Sequence, residues 1–129
     1  MTDLMRIILF CQIGYVAIAL FFNGISWIRI QRGLSPLTAT SPVKGLVSML
    51  VVLAVILTWP LLGGWIFWLG WIFLIIRIIP GGILMHFRRL VIERNLKGYT
   101  SPLSGVVAMT INIFGIIAGV LGLFAGFPA

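Results

Sequence analysis

The sequence is short of carboxylates, of cysteine and of charge altogether. Of its 129 residues two are acidic, Asp3 and Glu93, one is cysteine, one is histidine, and the charged share is 9%. A soluble domain usually carries about 25% charge, so a water-soluble globule is excluded. With so few carboxylates, and with no serine, cysteine or carboxylate that has a histidine base near it, catalysis by this chain alone is not expected. Cys11 has no second cysteine with which to form an intrachain disulfide or a metal cluster and reads as a small lipid-facing or packed apolar residue. There is no metal-ligand cluster and no glycine-rich phosphate loop, so no metal and no cofactor is expected and no cofactor-binding residue is assigned. His86, beside Arg88 and Arg89, reads as a lipid head-group contact rather than a haem ligand.

What is present is apolar. Hydrophobic residues make up 61% of the chain and the mean hydropathy is +1.22. Four segments approach the roughly 20 residues that a helix needs to cross a bilayer core: 7–27, 45–62, 65–85 and 105–126. The first could pass for a secretory signal, with Arg6 before an apolar run and Ala17-Ile18-Ala19 after it, but it reads as an uncleaved helix. Trp59-Pro60 followed by Gly63-Gly64 stops the second span and turns the chain into the third. The expectation is an all-α integral membrane protein, one transmembrane domain over 1–129.

The net charge is +7. In a soluble protein that would suggest nucleic acid. Here Arg29, Arg32 and Lys44 fall in the first connection and Arg88, Arg89, Arg94 and Lys97 in the third, while the other side has Arg6. The positive-inside rule places these two loops in the cytoplasm and both termini outside. Arg29, Arg32, Arg88, Arg89, Arg94 and Lys97 are the expected contacts to lipid head groups, and no nucleic-acid partner is expected. Trp59, Trp65 and Trp68 flank the uncharged turn as an outer aromatic belt. Arg89, Glu93 and Lys97 follow at i,i+4 and are expected to pair on a cytoplasmic extension of the third span.

The chain also repeats itself at an offset of 60 residues: the ten residues from Thr40 to Met49 align with those from Thr100 to Met109, with six identities and three conservative pairs. Ser-Pro at a helix start is common, as N-cap and first helical position, but that does not account for the Gly, Val and Met that follow. Two similar hairpins, with halves of about 1–62 and 63–129, are therefore expected to be related by an axis near the membrane normal.

Arg77 is the residue that needs a partner. It lies twelve positions after Trp65, about 18 Å along a helix. A basic residue at the bilayer centre costs about 2.5–3.5 kcal/mol on insertion scales. No acidic residue occurs in any span. Pro80 cannot donate to the carbonyl of Ile76, so freed carbonyls, with Asn112, Gln12 or Tyr15, are candidate neutral acceptors. They would leave the charge uncompensated, which points to an anion from elsewhere: a carboxylate of another subunit, a lipid phosphate or a cofactor propionate. The competing reading is an arginine that snorkels to the cytoplasmic face.

Gly115, Gly119, Gly122 and Gly126, at i, i+4, i+7 and i+11, fall within about 60° of arc. With Ala108 on the same line they form a small-residue face that lets a neighbouring backbone approach. Together these features predict a non-catalytic small subunit that packs in or stabilises a larger membrane complex, with the lipid bilayer, other membrane subunits or its own copies as partners. The expected location is a bacterial inner membrane or an equivalent energy-transducing membrane. The alternative is a small homo-oligomeric channel or transporter with Arg77 facing an anion path.

Overall fold

The computed structural model describes residues 2–128, and these form four helices long and apolar enough to cross a membrane, with no strand among them. The helices are α1 (Asp3–Gln31), α2 (Pro42–Leu62), α3 (Gly64–Ile92) and α4 (Pro102–Ala125). Their starts have local causes. Thr2 caps α1 by accepting from the Met5 N–H. Pro42 and Pro102 occupy first-turn positions where no N–H is needed. Ser101 and Ser104 complete a capping box, whereas Ser41 makes no side-chain cap bond; Lys44 stands where α4 has Ser104. Gly63, at φ +93°, takes a left-handed conformation that reverses the chain between α2 and α3.

All four helices differ from the expected spans, which followed apolarity alone. The largest differences are α1, which extends 7–27 at both ends, and α3, which extends 65–85 to Ile92. Polar residues such as Arg29, Gln31 and Arg88 are good helix formers, so the backbone continues after the apolar run stops. Left-handed residues follow the ends: Gly33 at φ +73° after α1 and Arg94 at φ +47° after α3.

α3 is not uniform. Ile79–Leu84 and Arg88–Ile92 are π-helical. Pro80 removes one N–H from the ladder and Gly81-Gly82 contribute no side-chain bulk, so the turn widens and the Met85 N–H bonds to the Pro80 carbonyl five residues back.

The helices form a ring in which each packs on its sequence neighbours and α4 closes onto α1. Tyr15, Phe67, Trp71, Val52 and Gln12, each 0% exposed, fill the middle. Trp71 Nε1–H donates to Gln12 Oε1 at 3.2 Å, and Gln12 Nε2 donates to the Ala118 carbonyl at 3.0 Å, so α3, α1 and α4 are joined across the bundle. One end gathers Met5, Trp59, Gly64, Gly126 and Pro128. The other gathers the connections 32–41 and 93–101, where Thr100 Oγ1 donates to the Pro36 carbonyl and Ser104 Oγ to that of Leu37.

Candidate functional site

α2 and α3 lie close near their turn, where Trp59 meets Phe67 edge to face at 5.3 Å and Gly70 leaves room for Val55. Toward the two loops a cleft of about 620 Å³ opens between them. Continuing the antiparallel register from Val55 and Gly70 brings Ser48 level with Arg77, and both line the cleft. Ser48 follows Pro42, the first residue of α2, by six residues, roughly 9 Å. Arg77 therefore lies in the loop-side half of the bundle, nearer the end of α2 than the hydropathy profile suggests.

The inner wall of this cleft is a closed hydrogen-bond network. Tyr15 Oη donates to Asn112 Oδ1 at 2.8 Å. Asn112 Nδ2 donates to the carbonyls of Gly82 at 3.0 Å and Ala108 at 3.1 Å. Gly82 makes this possible, because a Cβ there would stand 2.8 Å from the Asn112 amide. The proposed use of Asn112, Gln12 and Tyr15 as acceptors for Arg77 is corrected: Arg77 bonds to none of the three, which pair with each other, with Trp71 and with backbone carbonyls instead. Arg77 itself is exposed at the cleft. Both side-chain carboxylates of the chain are elsewhere, Asp3 with Arg6 at 3.4 Å and Glu93 with Arg88 at 3.1 Å.

The loop end of the cleft is bridged by His86. Its ring is 2% exposed; Nδ1 lies 2.6 Å from Tyr99 Oη and Nε2 lies 3.4 Å from Thr40 Oγ1. This corrects the expected head-group contact: the third span turns His86 inward, and residues distant in sequence cover it. Arg89 lies 6.0 Å from the Tyr99 ring centre, a cation–π contact. Burial pushes the Tyr99 hydroxyl above its ordinary pKa, and the Arg89 charge pulls in the other direction.

The remaining basic residues lie at the loop end. Arg32, Arg94 and Lys97 are exposed, and Arg29 Nε donates to the Ser35 carbonyl at 2.8 Å. The expected Arg89–Glu93–Lys97 ladder does not form. The helix ends at Ile92, Lys97 falls outside it, and Glu93 turns to Arg88 instead.

The glycine face of α4 lies inside the chain. A Cβ at Gly115 would stand 2.6 Å from the Tyr15 ring, Gly119 lies under Trp71, Gly122 meets Gln12 and Phe67, and Gly126 meets Trp59 and Met5. Ala108 is buried on the same helix. The face packs on α1, α2 and α3 within the chain, through bulky side chains rather than a closely approaching backbone. Ser48 and Thr40 line the cleft without having been singled out in the sequence, and Lys44, expected in the first connection, lies in the first turn of α2 and lines the cleft as well.

No protein-family model matches the chain, no curated protein matches it, and no solved structure matches it.

Proposed function

We propose that this chain is a non-catalytic integral membrane subunit that packs in or stabilises a larger membrane complex, and that Arg77 is completed there by an anion from outside the chain. The observation that carries the reading is the exposed Arg77 in an open lateral cleft while both side-chain carboxylates are engaged elsewhere. Even in the loop-side half of a span, a basic residue usually faces a partner or a cavity. The membrane is a bacterial inner membrane or an equivalent one, with both termini outside and the basic loops inside. The two hairpins are copies of one unit; in support, Pro42 and Pro102, equivalent in the repeat, are the first residues of α2 and α4.

The second reading is a homo-oligomeric channel or transporter with Arg77 on an anion path. It is favoured by the π-helical break beside Arg77, since such breaks recur at functional sites. Against a conduit along the bundle axis stand Tyr15, Phe67, Trp71 and Gln12, which fill it; a path would have to run between copies. Gentle extraction followed by native mass measurement separates the two. One copy bound to foreign subunits is the expected result, a pure homo-oligomer supports the second reading, and a lone monomer overturns both.

A further inference from the structure

We propose that the cleft between α2 and α3 is a binding site for one anionic phospholipid from the leaflet on the loop side, its phosphate on Arg77 and an acyl chain against Val47, Val51 and Phe73. This rests on the reading that Arg77 is completed from outside the chain, and it identifies the anion.

Charge is the first argument. The cleft is lined by Arg77 and Lys44 and by neither Asp3 nor Glu93. A guanidinium presents a planar fork of donors that matches a phosphate, and the Lys44 ammonium, one turn nearer the loops than Ser48, adds a point charge on the same side. Tyr15 and Asn112 on the inner wall are satisfied by each other and by backbone carbonyls, so the unmet demand lies at the two cations.

Shape selects a lipid over a helix. The cleft closes where Gly70 meets Val55 and where Trp59 meets Phe67, so a partner helix, about 10–12 Å across, cannot run along its length through the membrane. A wedge open over one leaflet suits an acyl chain. Its volume of about 620 Å³ lies within the usual range of ligand sites, about 300–1,000 Å³.

Access selects a lipid over a free anion. His86 and Thr40 join α3 to the first connection across the loop end. The open side faces the acyl region between Val47, Val51 and Phe73, which are 55%, 44% and 57% exposed. A charged solute would have to cross that apolar mouth, whereas a lipid already lies beside it.

The test uses the full chain in mild detergent, with native mass spectrometry against phosphatidylglycerol, diacylglycerol and inorganic phosphate. The expected result is one retained phosphatidylglycerol and no diacylglycerol or phosphate adduct, with retention reduced at least tenfold in Arg77→Gln and in Val51→Trp. Val51→Trp fills the mouth and keeps the arginine, so it carries the test if Arg77→Gln misfolds. Arg6→Gln, at the opposite end of the bundle where Arg6 pairs with Asp3, should retain the lipid. Equal retention by wild type, Arg77→Gln and Val51→Trp overturns the proposal, as does saturation by inorganic phosphate alone. Foreign subunits in the native assembly, recorded separately as protein mass, bear on the subunit reading; if they are present and phosphatidylglycerol is excluded, only the lipid inference fails.

Discussion

The hydroxyl of Tyr15 on α1 donates to the side-chain carbonyl of Asn112 on α4 at 2.8 Å, and Asn112 passes its own N–H groups to the backbone of α3 and of α4. One carboxamide thus joins three helices behind Arg77. It also binds a carbonyl within the π-helical segment. Without water in a bilayer core, such a carbonyl needs a partner within the protein.

Asn112→Leu leaves the Tyr15 hydroxyl without its acceptor and removes the side-chain donor from the Gly82 carbonyl. The expected loss is about 1–3 kcal/mol, read by equilibrium unfolding in mixed micelles. Tyr15→Phe should cost about 1 kcal/mol or less, in line with hydrogen bonds between membrane helices. The double variant should cost less than the sum of the two. Strict additivity would show that the bond does not couple α1 to α4.

Gly119→Ala should destabilise by roughly 1–3 kcal/mol, because its methyl group must displace the buried Trp71 ring. Gly14→Ala, inside α1 with nothing within 4 Å of the added methyl, should instead stabilise by about 0.5–1 kcal/mol. Thermal denaturation in one detergent compares the two directly. Similar effects at both positions would mean that the glycine face does not seat these side chains.

Hydropathy and helix-breaking residues were enough to locate the four helices, because a bilayer demands long apolar runs and the chain reverses at Gly63, with Gly64 already the first residue of α3. They could not locate the helix ends. α1 and α3 continue through arginines that lower hydropathy without disfavouring a helix. Arg77 could be singled out because charge inside a span is rare. Its surroundings could not, since the sequence leaves Asn112 and Gln12 free to face it and only tertiary packing joins them to Tyr15 and Trp71. His86 was misread for the same reason: Tyr99 and Thr40, which bury it, lie 13 and 46 residues away.

His86→Ala should loosen the loop end. It removes the bond to Tyr99 and leaves a void under a buried hydroxyl. Hydrogen exchange should quicken in 32–41 and 93–101 and stay unchanged around Trp71. Unaltered exchange in both connections would remove His86 from that role.

Orientation can be read chemically. In a Cys11→Ser background, Leu62→Cys and Leu34→Cys place thiols at exposed positions, 66% and 51% accessible in the parent residues, at opposite ends of the bundle. A membrane-impermeant maleimide should label Leu62→Cys in intact cells and Leu34→Cys only after permeabilisation. The reverse pattern would invert the topology.

The central claim is that an anion from outside the chain completes Arg77, and a photoreactive residue at Val47, on the rim of the cleft, asks most directly what lies there. In native membranes the account predicts phospholipid adducts at this position that fall sharply when Arg77→Gln is introduced. Adducts of the same kind and yield with and without the arginine would contradict it.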